Sequence, residues 1–352
     1  MTTFRKTRNR PMAGLLAVGL SLCMLLLHFV SLFGCTTRLG VYTTSFLDTF
    51  DTVLTVTVGA SSREEATRWT TQIHRIARDL HLQFSAYDPS EAVVNVETIN
   101  RHAGLSESFP ISEDLIMLLE TGVELYEKTD GKLNICIGTL TGIWKDVREG
   151  TAPPPDPAVL EVIRKEQCGI QALELDADAS TARLSVTSVR LDVGAIAKGF
   201  ALNRIRQYAE SEGITSLLIN FGGQVMAIGC HPDGNPWTVA IRDPRDGSTL
   251  DTVSLENAVI ATSADDQRSV TLDGVKYHHI IDPDTGYPGR GYRSVSVMLP
   301  LEHTSVSDGL STALFLLEQS AGEALISEYG GSALWLTAEG ALVSFQWPHK
   351  PN

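Results

Sequence analysis

Apolar residues recur along the chain at two spacings, which predict a mixture of strands and helices. Residues 52–58 alternate Thr with Val or Leu, as expected of a half-buried strand. Ser62 and Glu65 then form a capping box, which predicts the start of a helix. One face of this helix is apolar because its hydrophobic residues lie three or four positions apart. These residues are Ala66, Trp69, Ile73, Ile76, Ala77, Leu80 and Phe84.

Two further helices are predicted before the middle of the chain. Ser112 opens the first of them, and the residues on its inner side are Leu115, Leu118, Leu119 and Tyr126. Residues 151–157 are rich in proline and predict a surface loop or a domain boundary. Asp156 and Pro157 then begin a short helix that ends near Gly169.

Strand-like runs dominate the rest of the chain. Two helices are predicted among them, at residues 196–212 and 308–318. The strands outnumber the helices and do not alternate with them regularly, which favours an α+β fold over a doubly wound parallel sheet. The predicted strands are residues 184–191, 216–220, 225–228, 237–241, 259–262, 275–281 and 294–299.

The N-terminus has the layout of a secretory signal. Four basic residues and no acidic residue stand in the first ten positions, and residues 12–33 form an apolar run. This run is also long enough to cross a bilayer, so an uncleaved signal anchor is the alternative. Residues 32–35, Leu-Phe-Gly-Cys, resemble the bacterial lipoprotein signal, in which the cysteine receives the lipid. We therefore expect a signal peptide at residues 1–34, a lipid on Cys35, a tether at residues 35–45, and a lipid-anchored location on the extracytoplasmic face of the cell membrane.

Charge excludes one class of partner. The sequence has 28 Lys and Arg against 42 Asp and Glu, and its formal net charge is −14. Removing the signal takes away four basic residues and no acidic residue, so the net charge falls from −14 to −18. Such a surface repels phosphate backbones, and no nucleic-acid partner is expected.

Three cysteines lie outside the signal and the lipidation position. Cys136, Cys168 and Cys230 are an odd number and are widely spaced, without a C-x-x-C pair. A disulfide is possible outside the cell, but no disulfide framework follows from this spacing. Buried free thiols are the favoured interpretation.

Residues 191–199 run from a strand-like segment into a predicted helix. Gly194 lets a ligand approach the backbone, and the start of the helix offers free N–H groups to a phosphate. Lys198 supplies a cation nearby. The alternative is an ordinary strand-to-helix turn, in which Asp192 caps the helix and Lys198 is solvated. Neither of the standard nucleotide-binding glycine patterns occurs in this segment.

A second segment of chemical interest follows the predicted strand at residues 275–281. The adjacent His278 and His279 face opposite sides of a strand, so at most one of them faces a common site. A histidine at the end of a strand, beside Asp282 and Asp284, could serve as a general base. The alternative is a core or surface histidine followed by a turn.

Asp308 and Thr312 open the last predicted helix and share one of its faces, because they are four residues apart. A carboxylate and a hydroxyl are hard oxygen ligands, which suit Mg²⁺ or Ca²⁺ better than zinc. The alternative is an acid that complements the helix dipole, with the threonine in packing.

In their order along the chain and in their residues, these segments resemble the motifs of the ApbE family, the FAD:protein FMN transferases, over about residues 46–340. Residues 191–199 match its L-D-x-G-x-I-A-K-G segment, and residues 279–288 match its H-x-I-D-P-x-T-G-x-P signature. Other matching blocks lie at residues 85–87, 129–134, 220–223, 236–237, 241–244 and 262–264. The resemblance implies an α+β, T-fold-like domain of mixed antiparallel sheets with packed helices at residues 46–345.

The resemblance also implies roles for individual residues. His279, or otherwise Asp282, would accept a proton. The metal would be held by Asp308, Thr312 and the Ala195 carbonyl, and Mg²⁺ is expected, with Ca²⁺ or Mn²⁺ as alternatives. The residues that would contact FAD are Phe50, Tyr87, Lys132, Leu133, Asn134, Asp192, Lys198 and Ile281.

The implied reaction is Mg²⁺-dependent transfer of FMN from FAD to a Thr or Ser hydroxyl of another protein, with release of AMP. The expected acceptor is a flavoprotein that carries an FMN-binding domain of the membrane electron-transport type. One alternative is hydrolysis of FAD to FMN and AMP, which needs the same site. The other is a non-catalytic flavin-binding lipoprotein, which would need no proton acceptor.

Overall fold

The computed structural model of the protein describes residues 1, 2 and 39–348. Except for its first two residues, the expected signal peptide lies outside the described residues, as does Cys35. From Gly40 onward the chain forms one compact unit, so the proline-rich segment at residues 151–157 is a surface loop and no domain boundary. Among the described residues, no helix combines the length and hydropathy needed to span a bilayer.

The part of the chain that the structure describes contains fifteen strands. They are β1 (Gly40–Thr49), β2 (Thr52–Ala60), β3 (Phe109–Pro110), β4 (Leu173–Asp176), β5 (Thr181–Leu184), β6 (Leu217–Phe221), β7 (Gln224–Ile228), β8 (Trp237–Arg242), β9 (Thr249–Leu255), β10 (Ala258–Ala264), β11 (Val270–Leu272), β12 (Val275–Tyr277), β13 (Tyr292–Pro300), β14 (Ser332–Thr337) and β15 (Leu342–Phe345).

The same described region contains eight α-helices and two short 3-10 helices, which cover Ile170–Ala172 and Leu301–Val306. The α-helices are α1 (Arg63–Phe84), α2 (Val96–Arg101), α3 (Glu113–Lys128), α4 (Gly138–Glu149), α5 (Pro157–Glu166), α6 (Ala197–Ser211), α7 (Ser307–Leu316) and α8 (Gln319–Glu328).

The centre of the fold is an eight-stranded antiparallel sheet with the order β1-β2-β6-β7-β10-β13-β14-β15. α1 packs on β1 and β2, α7 packs on β10 and β13, and α6 contacts both helices. The β8–β9 hairpin forms a second, smaller core with β7, β10 and β14, around Trp237 and Trp347. The predicted α+β class, with mixed sheets and packed helices, is confirmed.

Residues 40–45 belong to a strand, and the prediction of a tether there was wrong. Gly40 pairs with Ala60 and Phe46 with Leu54, so that β1 and β2 form a long hairpin. Tyr42 and Phe46 point inward and pack against the core, whereas the residues between them are small and polar. The segment resembles a linker because an edge strand that buries one face needs few apolar residues.

The first predicted helix is confirmed as α1. The Ser62 side chain accepts a hydrogen bond from the Glu65 N–H at 3.2 Å, as a capping residue should. The Glu65 carboxylate accepts from the N–H of Ser61, at 2.8 Å, so the capping box closes one residue earlier than predicted. The predicted apolar face is buried except for Ile76, which is half-buried.

Two strand predictions differ from the structure: the strand predicted at residues 184–191 begins where β5 ends, and the strand predicted at residues 275–281 extends too far. β5 ends at Leu184, and β12 ends at Tyr277, before the two histidines. Residues 189–193 alternate buried and less buried side chains as a strand would. Their backbone bonds to other partners, however: Arg190 O accepts from Gly138 N at 2.9 Å, and Asp192 N donates to Ile135 O at 2.8 Å. The alternation of side chains therefore predicted extended backbone correctly. It could not show that these residues lack the regular hydrogen bonds to a neighbouring strand.

A buried asparagine on α2 fixes this extended segment. The Asn100 side chain donates to Leu191 O at 2.9 Å and accepts from Leu191 N at 2.6 Å. Both polar groups of the Leu191 backbone are thereby satisfied away from water, which is otherwise costly. The next residue, Asp192, is held in place as a result.

We expect Asn100→Ala to lower the free energy of unfolding by about 2–3 kcal/mol, because it leaves two buried backbone groups without partners. Urea denaturation followed by circular dichroism would measure the loss. The exposed Asn235→Ala is the matched control and should change the free energy by less than about 0.5 kcal/mol. Equal effects of the two substitutions would contradict the assigned role of Asn100.

Candidate functional site

A cavity of about 560 Å³ lies where α1, α4, α6 and α7 meet the loops around residues 132–137, 192–195 and 264–268. Every predicted site residue in the described part of the chain lines it, except Asp282. The lining residues predicted from sequence are Phe50, Tyr87, Lys132, Leu133, Asn134, Asp192, Ala195, Lys198, His279, Ile281, Asp308 and Thr312.

An ion pair between side chains in the first turns of two helices lines the cavity. Lys198 Nζ, in the first turn of α6, lies 2.8 Å from Asp308 Oδ2, in the first turn of α7. Burial raises the pKa of the Asp308 carboxyl group, and the Lys198 ammonium opposes that effect. The 3-10 helix that precedes α7 approaches α6 so closely at Gly199 that a Cβ there would lie 2.9 Å from Ser305 O. Only glycine permits this arrangement without a shift of backbone.

The oxygen atoms around Asp308 fit a hard divalent cation. Thr312 lies one helical turn after Asp308, and its hydroxyl is 3.2 Å from Ser263 Oγ. The Ala195 carbonyl accepts no backbone hydrogen bond from the described residues. No group of three His, Cys, Asp or Glu side chains that could hold a metal occurs in that region. A set of one carboxylate, one hydroxyl and one carbonyl suits Mg²⁺, which commonly takes its remaining ligands from water and substrate phosphates.

The two adjacent histidines have different environments, as predicted. His278 is buried, and its Nε2 lies 2.7 Å from Gly289 O, so it serves packing. His279 lines the cavity, and its Nδ1 lies 3.0 Å from Gln267 O. A carbonyl partner requires the proton on Nδ1, which leaves Nε2 as a proton acceptor. Burial, together with His278 and Arg268, lowers the pKa of His279 to about 3, so the ring is neutral at pH 7.

The structure places Asp282 outside the cavity. Its carboxylate bonds Lys132 Nζ at 2.8 Å, and Asp284 bonds the same nitrogen at 2.8 Å. Burial opposes the charge of Lys132, but its two carboxylate partners outweigh that effect and raise its pKa. Asp282 also accepts from Gly286 and Thr285 through its backbone carbonyl. Asp282 therefore stabilises the turn that follows His279 and orients the Lys132 side chain.

One wall of the cavity carries a polar network around Asp192. Asp192 Oδ2 accepts from Thr141 Oγ1 at 2.7 Å and from the Tyr87 hydroxyl at 3.2 Å, and Oδ1 accepts from Gly194 N at 2.9 Å. The negative charge of Asp192 is the main cause of the raised pKa of Tyr87. Lys145 Nζ lies 4.1 Å from the centre of the Tyr87 ring, a cation–π contact. Tyr87 is half exposed, so its ring remains available to a planar ligand.

Asn134 is fixed by two backbone bonds. Its Nδ2 donates to Cys168 O at 2.9 Å, and its Oδ1 accepts from Cys136 N at 2.8 Å. An aspartate could not donate the first of these bonds. Cys136 and Cys168 are buried free thiols, as predicted, and Cys230 is a partly exposed free thiol.

Phe50 also lines the cavity. Its backbone lies in the left-handed region, with φ of 52°. Its ring packs edge-on against Phe221, at 5.2 Å between ring centres, and against His81 at 5.5 Å. Leu133 and Ile281 are buried and supply apolar surface.

The polar residues of the wall that sequence reasoning missed include Lys145, Arg148, Gln224 and Arg268. Lys145 and Arg148 share a face of α4, whose first turn lacks a side-chain cap and which was therefore not predicted. Gln224 donates to Ser307 Oγ at 2.7 Å, and its own side-chain oxygen is buried without a partner among the described residues. The spacing of Lys145 and Arg148 along the sequence could have predicted that they share a helix face. It could not have predicted that Arg268 lines the same cavity.

Comparison with known proteins identifies the family of the chain. The ApbE family model matches residues 50–335. The FAD:protein FMN transferase of Treponema pallidum is 32% identical over 249 residues, which cover 66% of this chain and 67% of that protein. The FAD:protein FMN transferase of Vibrio cholerae is 29% identical over 262 residues, which cover 72% of this chain and 75% of that protein.

Solved structures agree as well. The crystal structure of the ApbE protein from Thermotoga maritima superimposes with a TM-score of 0.77 at 28% identity, covering 87% of this chain and 97% of that one. The flavin transferase ApbE from Vibrio cholerae has the same fold, with a TM-score of 0.73. The family resemblance predicted from sequence is confirmed over most of the described residues, and the chain belongs to the ApbE family.

Proposed function

We propose that the protein transfers FMN from FAD to a Thr or Ser hydroxyl of an acceptor protein and releases AMP. The observation that carries the proposal is the meeting, in one cavity, of a neutral histidine with a free ring nitrogen and an oxygen-ligand set suited to Mg²⁺. Family membership supports it, because the relatives of Treponema pallidum and Vibrio cholerae are FAD:protein FMN transferases.

Asp308, Thr312 and the Ala195 carbonyl would hold the metal. When bound, Mg²⁺ supplies positive charge that neutralises a diphosphate. In its absence, Lys198 holds the charge of Asp308, since the two groups are 2.8 Å apart. The Ser263 hydroxyl bonds both Ser311 and Thr312 and thereby fixes the Thr312 side chain.

His279 acts as the general base. Its Nδ1–H donates to Gln267 O, which orients the ring, and Nε2 accepts the proton of the acceptor hydroxyl. The hydroxyl oxygen forms a bond to the phosphorus on the FMN side of FAD. The bond from that phosphorus to the bridging oxygen breaks, and AMP leaves. Asp282 supports this step only through the turn that follows His279.

We further propose a lipid on Cys35 as the anchor to the extracytoplasmic face of the membrane. The sequence supports this, although Cys35 lies outside the described residues. The acceptor would then be a flavoprotein of membrane electron transport that displays its FMN-binding domain on the same side.

The deciding experiment mixes the full-length protein in detergent with FAD, Mg²⁺ and an FMN-binding acceptor domain. Intact mass of the acceptor should rise by one FMN residue, with one AMP released for each acceptor labelled. A matched acceptor with its target threonine changed to valine should gain no mass. Free FMN and AMP without a labelled acceptor would indicate a hydrolase, and intact bound FAD would indicate a carrier.

Asp308→Asn should abolish metal-dependent transfer, with a loss of at least about 100-fold in kcat that excess Mg²⁺ does not restore, because the carboxylate is the one charged ligand of the set. Transfer would be followed by acceptor mass across an Mg²⁺ titration. Asp114→Asn is the control, because it removes a carboxylate from another ion pair, with Arg204, on the outside of the cavity. Full activity of Asp308→Asn would exclude this metal assignment.

His279→Gln should lower kcat by about 10²–10⁴-fold, the usual contribution of a general base, and should leave the Kd for FAD within twofold. Flavin fluorescence would give the Kd, and acceptor mass would give kcat. His231→Gln changes a histidine that is paired with Asp233 away from the cavity and should be silent. Unchanged turnover of His279→Gln would refute the role of His279 as base.

The pH profile provides a separate test. The pKa of His279 in the folded protein, about 3, lies below the value of about 6.5 for an exposed imidazole. The ring therefore stays neutral as the pH falls from 7 to 5, and kcat/KM should show no His279-dependent loss in that range. A loss with a midpoint near pH 6.5 that disappears in His279→Gln would contradict this environment.

A further inference from the structure

Five cationic side chains line the cavity, and they fall into two groups. Lys132 is paired with Asp282 and Asp284, and Lys198 is paired with Asp308. The remaining three cations are Lys145, Arg148 and Arg268. Among the described residues, no carboxylate forms an ion pair with any of these three. Unpaired cations in a chain of net charge −14 need an explanation.

Arg148 is the clearest case. It projects from α4 into the cavity, and its Nη1 is shielded from solvent with no hydrogen-bond partner in the described chain. Burial lowers the pKa of Arg148, while the nearby Tyr87 and Asp192 favour its charged form. Asp192 forms no ion pair with Arg148, and its oxygens accept instead from Tyr87, Thr141 and Gly194. A buried donor without an acceptor is costly, so an acceptor from outside the chain is expected.

Arg268 adds a second guanidinium from the loop after β10. Its backbone lies in the left-handed region, with φ of 45°, which is uncommon for an arginine. Arg268 contributes to the lowered pKa of Arg148 and to the lowered pKa of His279. Arg268 follows Gln267, whose carbonyl lies 3.0 Å from His279 Nδ1, and Arg148 lines the same cavity, so that two side chains of like charge share this site with His279. Such repulsion is tolerated where a doubly charged anion joins the group.

We propose that Arg148 and Arg268 bind the diphosphate of the dinucleotide on the side of the cavity where His279 lies. This inference rests on the proposed function and names the contacts by which the site would select its substrate. A guanidinium presents a planar fork of donors that matches two phosphate oxygens, whereas the paired Lys132 and Lys198 already have their anions. An acidic peptide is a weaker candidate, because the apolar Leu133 and Ile281 in the same cavity suit an aromatic ligand.

The position beside His279 has a chemical consequence. Charge on the nonbridging oxygens of the transferred phosphoryl group is shared by the donors that surround it. Arg148 and Arg268 would hold those oxygens while His279 accepts the hydroxyl proton. The same contacts would separate FAD from riboflavin, which has the same ring system and no phosphate.

Arg148→Met tests the proposal, because methionine keeps the apolar stem and removes the donors. We expect the Kd for FAD to rise about 10- to 100-fold and the Kd for riboflavin to stay within twofold. Flavin fluorescence would give both constants for the full-length protein in detergent, in Mg²⁺ and in EDTA. Arg148→Lys should recover only part of the FAD affinity, since an ammonium cannot form the fork. Arg268→Met should show the same selective loss.

Arg78→Met is the matched control, because Arg78 is exposed on α1 and does not line the cavity. Thermal melting would show that each variant is folded. An FAD affinity unchanged in Arg148→Met overturns the proposal, as does an equal loss for FAD and riboflavin. These binding constants do not depend on turnover. A hydrolase or a carrier would therefore still reveal the arginine contacts, and a functional transferase without them would refute this inference alone.

Discussion

The close approach of α6 to the 3-10 helix at Leu301–Val306, which leads into α7, is the constraint on which the site depends. Gly199 of α6 meets the backbone of this 3-10 helix, and the contact places the partly buried Lys198 against the buried Asp308 of α7. A buried carboxylate without a cation is strongly disfavoured, so the lysine and the aspartate stabilise each other's charge. The contact also joins the β10–β13 part of the sheet, under α7, to the segment that carries Asp192. The same helix packing therefore determines both the shape of the cavity and the position of its Lys198–Asp308 ion pair.

Sequence patterns predicted the regular parts of this fold well. α1 and α3 have clear caps and an apolar face, and the central strands have clear alternation, because each depends on neighbours in sequence. β1 escaped prediction because an edge strand buries only half of its residues, and α4 escaped because no side chain caps its start. The segment at residues 189–193 looked like a strand because Asn100, far away in sequence, provides bonds that a neighbouring strand would otherwise provide.

The candidate site divides in a similar way. Short motifs identified twelve residues of the wall, because residues such as His279, Asp308 and Lys198 each lie within a distinctive sequence motif. A motif does not reveal which neighbour a side chain will bond. The sequence therefore left both His279 and Asp282 as candidate proton acceptors, and the ion pair of Asp282 with Lys132 distinguishes them. Arg148 and Arg268 come together only in three dimensions, and no local signal links residues so far apart in the chain.

The unpaired cations stand inside a chain whose surface is strongly acidic. At long range an anionic ligand meets a repulsive field, and only within a few ångströms of the cavity mouth does it meet attraction. Dissolved salt screens the distant field more effectively than the enclosed one. Rising ionic strength should therefore speed the encounter of dinucleotide and protein more than it shortens the lifetime of their complex, so arrival and retention are governed by different parts of the molecule.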